Sequence, residues 1–276
     1  RVAISMSPLG PFLRLGWMRA IILPLGRFAR KKPLGAAGAV ILFVMVFVAI
    51  FAPMIAPFDP YAPHIVDFEH YKYASPGTTI ADTGDNVLDA GKTFIFGADQ
   101  LGRDVFSRVI IGAQTSLLVS FTANGWGTTS GVVWGLFQGY WGGTWFDTVS
   151  QRVVEALLSI PALIMALTIM AVLGPSLQNI IFAIGLRYVG SGARTVRSSV
   201  LSVRENMYVD AARAIGASNL RILFLHIFPQ VFSIYIILLS LHVGGAIIAE
   251  SSLSFLGLGA GPDEATWGGL VTQGTQ

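Results

Sequence analysis

A stretch without charge, from Val109 to Phe146, most constrains what this chain can fold into. A single helix needs about 20 predominantly apolar residues to cross a bilayer, and this stretch is far longer. We therefore predict one membrane span at 112–138, followed by an irregular end. The glycine-rich "GLFQGYWGGTW" is typical of a turn, and its aromatic residues suit the boundary between membrane and water.

The composition indicates that this span is one of several. Of the 276 residues, 53% are hydrophobic and only 12% are charged, whereas a soluble domain carries about a quarter charged residues. We predict an all-α, polytopic membrane protein. The chain has no cysteine, which excludes disulfides and thiolate metal sites.

The start of the chain is basic. Residues 1–34 carry seven Lys or Arg and no acid, and an apolar run at 35–57 follows at once. Because basic residues beside a first span stay on the cytoplasmic side, we place the N-terminus in the cytoplasm. Within it, "PFLRLGWMRAIILPLGRFARKK" is typical of an interfacial helix, and a disordered basic tail is the alternative.

The segment 58–108 reverses the charge balance, with eight acids against four Lys or Arg. It is too long for a simple connection, so we predict an extracytoplasmic loop domain with a short strand near "KTFIFG". His64 and His70, with Asp67 and Glu69, can be read as a metal cluster. Nothing in their spacing fixes a coordination geometry, so we assign no metal site.

Three more spans are predicted at 150–173, 176–196 and 228–249, with "LGPS" breaking the chain between the first two. The whole range 109–276 reads as one membrane core. Its loop at 197–227 is basic and therefore cytoplasmic. Five spans leave the C-terminus outside, and we expect a sixth span after the last residue of the sequence.

The cytoplasmic loop holds "YVDAARAIGASNLRILFLHIFPQ". Asp210 suits a helix start, the alanines that follow leave a slim helix surface, and Gly216 is suited to end or bend the helix. An amphipathic run then leads into the last span. From the residues alone, a docking element for a cytoplasmic partner and an interfacial helix without a partner stay equally open.

"DAARAIG", followed thirteen residues after Gly216 by Pro229, resembles the EAA loop of the inner-membrane permease subunits of ABC importers. The chain departs from that pattern in Asp210, where the family usually has Glu, and in "HIFP". Three more blocks resemble the dipeptide/oligopeptide branch: "KKPLGAAGAVILFVMVFVAIFAPMIAPFDP", "FGADQLGRDVFSRVIIGAQTSLLVS" and "AESSLSFLGLGAGPDEATWGGLV". The resemblance covers about Lys31 to Val271.

The resemblance implies a type I importer permease fold in a bacterial or archaeal cytoplasmic (inner) membrane. The implied partners are a second permease subunit, two ATPase subunits, an extracytoplasmic binding protein and the lipid bilayer, with no nucleic acid. ATP and Mg would be bound by the ATPases, since this chain lacks the G-x-x-x-x-G-K-[ST] phosphate loop and is not itself an enzyme. The implied solutes are di- or oligopeptides, with nickel complexes, glutathione or oligosaccharides as alternatives. The implied ATPase-coupling residues are Asp210, Ala211, Ala212, Arg213, Gly216 and Pro229.

Two charged residues are candidates for the translocation path. Arg187 falls inside the predicted fourth span, where a charge is costly unless it faces an aqueous path or snorkels to an interface. Glu250 ends the fifth span and could pair with Arg187, line the outer mouth or cap the helix end in contact with water. An ion-gradient-driven transporter would need paired ionisable groups at the midplane, and Arg187 has no obvious carboxylate partner at matching depth.

Four local interactions complete the predictions. Arg152 and Glu155 should form an ion pair one helical turn apart. Arg103 and Asp104 should pair with each other or cap the second span. The histidines of the apolar helices, His226 and His242, should be hydrogen-bonded packing residues rather than ligands.

Overall fold

The computed structural model describes residues 30–61, 71–80, 91–259, 261 and 264–274. The predicted interfacial helix up to residue 29 and the histidine cluster at 64–70 lie outside these residues, as does a span beyond Gln276. The chain divides into two compact units, residues 1–48 and 49–276, and the division falls inside the first helix. That helix, α1, spans Pro33–Ile55 and is apolar along its length.

The second helix, α2, is a continuous helix of 36 residues, Val105–Tyr140. It begins at Asp104, whose Oδ2 accepts a hydrogen bond of 2.7 Å from the backbone N–H of Ser107, so the predicted capping role is confirmed. Arg103 instead pairs with Asp99, at 2.8 Å between Nε and Oδ2. The helix thus starts at Val105, inside the predicted loop domain 58–108. It ends at Tyr140, two residues after the predicted end of the span at 138.

Four glycines at every fourth position explain why α2 stays helical through a glycine-rich sequence. They form one row that faces helix α5 (Leu177–Val203), and a Cβ at any of them would collide with that helix: Gly127, Gly131, Gly135 and Gly139. At Gly131, for example, a Cβ would lie 3.0 Å from the Cα of Val189. Small residues at this spacing let two helix backbones touch, as in membrane helix pairs. This packing role is not predicted from the sequence, because Gly135 and Gly139 are interpreted there as part of a turn and Gly127 and Gly131 are assigned no role.

The segment predicted as one span at 150–173 is divided into two helices, α3 (Trp145–Ser159) and α4 (Ala162–Leu173). Their axes are bent by 88°. The cause is Pro161, which lacks a backbone N–H and disfavours the helical conformation in the residue before it. Ile160 is accordingly extended, with φ −85° and ψ 127°.

The predicted break at "LGPS" is confirmed. α4 ends at Gly174, whose φ of 85° is readily adopted only by glycine, and α5 starts after Ser176. The Ser176 hydroxyl accepts a hydrogen bond of 3.2 Å from the N–H of Asn179. Beyond α5 come α6 (Met207–Ala214), α7 (Asn219–Arg221), a π-helical segment (Ile222–Ile227), α8 (Phe228–Phe255) and α9 (Trp267–Gly274).

Three helical stretches of the described chain are long and apolar enough to cross a membrane: Pro33–Ile55, Val105–Tyr140 and Asn219–Phe255. The bent pair of α3 and α4 makes a fourth if it counts as one span. The all-α class and several spans are therefore confirmed, while α5 stays a predicted span only. Arginines and small polar residues interrupt its apolar sequence.

The segment between α1 and α2 has a small core of its own. Backbone hydrogen bonds join Ile80 N to Lys92 O at 2.9 Å and Phe94 N to Thr78 O at 2.9 Å, which gives an isolated β-bridge pairing of Thr79 with Thr93 near "KTFIFG", where a short strand is predicted. The pairing covers a buried cluster of Phe58, Tyr71, Ile80, Phe94 and Ala98. This segment is therefore folded where the structure describes it.

Two buried clusters position the sites considered below. The first, which we call the loop-end core, joins the C-terminal half of α2 to the loop after α5: Val132, Leu136, Tyr140, Val196, Val200, Val209, Ala212, Ile222, Leu223, Ile227 and Val231. The second, the mid-helix core, joins α2, α4, α5 and α8: Val119, Ala123, Ala166, Met170, Ile180, Ala183, Ile184, Tyr188, Ala246 and Leu253.

Candidate functional sites: a loop helix and a polar cavity

The short helix α6 has one buried face and one exposed face. Val209 and Ala212 pack into the loop-end core and are 0% and 5% exposed. On the other side, Met207 is 88% exposed, and Asp210 and Arg213 form an exposed ion pair of 3.1 Å. The core thus fixes the orientation of α6 and presents its charged and apolar outer face to the surroundings.

The end of α6 is a glycine cap, as predicted for Gly216. Its φ is 83°, its N–H donates to the carbonyl of Arg213 at 3.0 Å, and the N–H of Ala217 donates to the carbonyl of Ala212 at 3.1 Å. These two bonds define the Schellman motif, which requires a left-handed residue at this point. A Cβ at Gly216 would meet nothing within 4 Å, so the requirement is conformational and not steric.

The structure separates the six residues predicted to couple to an ATPase. Asp210, Ala211, Arg213 and Gly216 are exposed on or beside α6. Ala212 is buried in the loop-end core, because the 3.6-residue helical period turns it inward with Val209, and its coupling role stays a prediction.

Pro229, the last of the six, lies in the first turn of α8 and is exposed. The turn before it is π-helical, and the N–H of Phe228 donates to the carbonyl of Leu223, five residues earlier. Proline clashes with the carbonyl four residues before it in a regular α-helix, and a widened turn relieves that clash. Pro229 was the only sequence signal for this irregularity.

The base of the loop is held by polar contacts that the sequence did not reveal. Asp147 is 4% exposed and receives two hydrogen bonds from Arg197, one of 2.6 Å from Nε and one of 2.7 Å from Nη2. Arg204 Nη1 donates to three carbonyls at the end of α2, those of Gly139, Tyr140 and Gly142, at 3.0–3.2 Å. These arginines tie the ends of α2, α3 and α5 together.

Arg187 lines a cavity of about 390 Å³ between α4, α5 and α8. Its side chain is exposed, and the described residues give it no hydrogen bond or ion pair. Tyr188, His242 and Ser252 line the same cavity, and the rest of its wall is apolar or glycine. A mostly apolar pocket of this size with a few converging polar groups is the usual form of a small-molecule site.

His242 is held firmly at the edge of this cavity. Its Nδ1 lies 2.9 Å from the Thr128 hydroxyl, and its ring stacks on Tyr188 with centroids 4.3 Å apart. The predicted hydrogen-bonded packing role is therefore confirmed for His242. His226 makes only a long contact of 3.4 Å between Nδ1 and the carbonyl of Arg221.

Glu250 lies apart from Arg187. It is fully buried, and its carboxylate accepts hydrogen bonds from the hydroxyls of Ser254 at 2.8 Å and Ser116 at 3.1 Å. Ser116 in turn accepts from the N–H of Trp267 at 3.2 Å, so the network joins α2, α8 and α9. The expected contact with water is wrong, and no pair with Arg187 forms among the described residues, because serine hydroxyls and packing enclose the carboxylate.

The remaining local predictions concern charge pairs and metals. Arg152 and Glu155 form the expected ion pair at 3.0 Å, on an exposed surface. Across the part of the chain that the structure describes, no group of three or more His, Asp or Glu is arranged to hold a metal ion.

Comparison with known proteins confirms the resemblance. Residues 131–275 match the family described as "Binding-protein-dependent transport system inner membrane component". Residues 27–76 match the "N-terminal TM domain of oligopeptide transport permease C". Residues 77–130 lie outside both matches, whereas the match at residues 131–275 includes the loop helix α6 and the residues that line the cavity.

Curated relatives match over most of their length. A protein of Brucella suis biovar 1 (strain 1330), provisionally named a peptide transport system permease protein, is 36% identical over 254 residues, covering 92% of this chain and 79% of its own. The glutathione transport system permease protein GsiD of Escherichia coli (strain UTI89 / UPEC) is 34% identical over 246 residues, covering 88% of this chain and 75% of its own. The chain therefore belongs to the inner-membrane components of binding-protein-dependent transport systems, and it is a multi-pass, non-catalytic permease subunit of an ABC importer.

Proposed function

We propose that this permease forms half of the translocation path of a type I importer for di- or oligopeptides. A second permease subunit forms the other half, two ATPases bind on the cytoplasmic side, and an extracytoplasmic binding protein delivers the solute. The basic N-terminal segment and the basic loop 197–227 lie in the cytoplasm in this arrangement. The support for peptides is the oligopeptide-permease match at residues 27–76 and the relatives named for peptide and glutathione transport.

The observation that carries the coupling role is the two-sided character of α6. Its inner face is fixed by the loop-end core, and its outer face presents Met207, Ala211 and the Asp210–Arg213 pair. A rigidly held helix with a free outer face can transmit a push from a partner to the helices behind it. We propose that this face, with Gly216, docks into the ATPase, and that closure of the ATPase dimer on ATP rocks the two permease halves.

The test is a docking experiment with matched variants at one exposed position. Ala211→Glu adds a charge and bulk to the outer face of α6, whereas Ala211→Ser adds only a hydroxyl. We expect the Glu variant to lose both ATP-driven uptake in proteoliposomes and co-purification of the ATPase subunits, while the Ser variant keeps them. Normal uptake and normal ATPase retention by Ala211→Glu would overturn the docking role.

Arg187 is proposed to line the path, and the observation that supports it is its unpaired, exposed position in the cavity between α4, α5 and α8. For Glu250, which is buried, the hydrogen bonds from Ser116 and Ser254 support a role in anchoring α8 to α2. Glutathione, itself a three-residue peptide, is the second candidate solute, because a relative is named for it. Calorimetric titration of the cognate binding protein with peptides, glutathione, nickel complexes and oligosaccharides separates these solutes.

A further inference from the structure

His242 lines the cavity beside Arg187, and its hydrogen bonds determine which ring nitrogen carries the proton. Asn124 Nδ2 donates to the carbonyl of Leu239 at 2.6 Å, which leaves Asn124 Oδ1 as an acceptor. The Thr128 hydroxyl has one proton, and it donates that proton to Asn124 Oδ1 at 2.7 Å. Thr128 therefore has only a lone pair to offer His242, so the proton of the 2.9 Å contact belongs to His242 Nδ1.

The tautomer determines whether His242 Nε2 is a hydrogen-bond donor or an acceptor. With the proton on Nδ1, a neutral imidazole carries a lone pair on Nε2, and that atom accepts a hydrogen bond. The described residues offer Nε2 no partner. The ring cannot readily turn away, because it stacks on Tyr188 and the Tyr188 hydroxyl donates to the backbone carbonyl of His242 at 3.1 Å.

The cavity thus offers a cation, a hydrogen-bond acceptor and an apolar wall. Arg187 supplies the cation, His242 Nε2 the acceptor, and Leu163, Ile184 and Ile248 part of the wall. Arginine is suited to a carboxylate, which its guanidinium can bind with two parallel hydrogen bonds. The C-terminal residue of a peptide carries the matching groups on one Cα atom: the carboxylate, the amide N–H and the side chain.

We propose that this cavity binds the C-terminal residue of a peptide during passage, with Arg187 on the carboxylate and His242 Nε2 on the last amide N–H. The proposal rests on the proposed peptide-import function, and it specifies that the permease recognises the C-terminal end of the peptide. Sugars lack the carboxylate for Arg187, so the site selects for peptides within the importer. His242 is then a specificity-determining residue in addition to a packing residue.

The test uses the complete importer in proteoliposomes with three probes: trialanine, its C-terminal amide, and trialanine N-methylated at the last amide. Because the binding protein is the same in every sample, only a change in the preference between probes reports on the permease. Arg187→Met should remove at least about tenfold of the preference for trialanine over its amide, the size expected for one charged hydrogen-bonding partner. Arg187→Lys should restore part of it.

Two isosteric variants separate the two nitrogens of His242. In His242→Asn the amide nitrogen replaces Nδ1 and keeps the bond to Thr128, but nothing replaces Nε2. In His242→Gln the amide reaches the Nε2 position. We expect Asn to lose the preference for trialanine over the N-methyl probe and Gln to keep part of it. Both variants lose the stack on Tyr188, so the difference between them reports on the Nε2 position.

The outcomes are distinguishable from failure of the peptide-import proposal. If the wild-type importer takes up neither trialanine nor any other di- or tripeptide, the peptide assignment and the cavity proposal both fall. If the wild type imports trialanine but all four variants keep the wild-type preference between probes, only the cavity proposal is overturned.

Discussion

Arg197 binds Asp147 through two hydrogen bonds, from Nε to Oδ1 at 2.6 Å and from Nη2 to Oδ2 at 2.7 Å, and so joins α5 to the start of α3. Asp147 also accepts the N–H of Gly143 at 2.9 Å. The pair fixes α5 to α3 near the end of α5, from which the loop with α6 continues.

Removal of the arginine should destabilise the fold because it leaves a buried carboxylate without its partner. We expect Arg197→Met to lower the free energy of unfolding by about 3 kcal/mol. The measurement is thermal unfolding in detergent. Arg152→Met is the matched control, since the Arg152 side chain is 79% exposed and its ion pair should contribute no more than about 1 kcal/mol. Equal melting temperatures for the two variants would contradict this assignment.

The glycine row of α2 should tolerate no side chain. In Gly131→Ala the new Cβ would lie 3.0 Å from the Cα of Val189 and still closer to its carbonyl oxygen. Because backbone cannot rotate away, α2 and α5 must separate, at a cost of about 2–3 kcal/mol. Gly125→Ala is the control on the same helix, where a Cβ meets nothing within 4 Å and alanine favours the helix. The melting temperature of Gly131→Ala should therefore fall, whereas that of Gly125→Ala should rise or stay unchanged.

Gly216 should be replaceable by residues that accept a left-handed backbone and by no others. Its φ is 83°, and the space around it is open. We expect Gly216→Val to strain the cap by about 1–3 kcal/mol and to reduce ATP-driven uptake severely, while Gly216→Asn keeps most of it. Uptake is measured beside protease sensitivity of the loop. A fully active Val variant would show that the cap has no part in transport.

Glu250 should matter for the attachment of α9 to α2. In Glu250→Ala the hydroxyls of Ser116 and Ser254 lose their common acceptor and a buried space opens, so we expect a loss of about 2–4 kcal/mol. Melting in detergent gives the value. The control is Glu155→Ala, which removes an exposed carboxylate and should change stability by less than about 1 kcal/mol.

Features with a local cause were predictable. Asp104 caps α2, "LGPS" ends α4, and Gly216 ends α6, because in each case the deciding hydrogen bonds or dihedral angles lie within a few residues of the signal. The bend of 88° at Pro161 also has a local cause and could have been found. The apolar run on both sides favoured the interpretation as one span.

Features that depend on a neighbouring helix were not predictable in the same way. Ala212 looks like its exposed neighbours in the sequence and is distinguished only by the core that it meets. Arg187 and Glu250 have opposite charges, but in the fold the Glu250 carboxylate accepts hydrogen bonds from serines and Arg187 lines a cavity. The tautomer of His242 depends on three hydrogen bonds that involve Asn124, Thr128 and Leu239.

The glycine row of α2 has a mechanical consequence for a transporter. Where two helices touch backbone to backbone, no layer of side chains lies between them that could be compressed or change rotamer. We expect α2 and α5 to move as one rigid body, together with the loop that carries α6. A displacement of a few ångströms at α6 then moves the opposite ends of both helices as well. The conformational change needed for alternating access must occur elsewhere, for example at the helix break at Pro161.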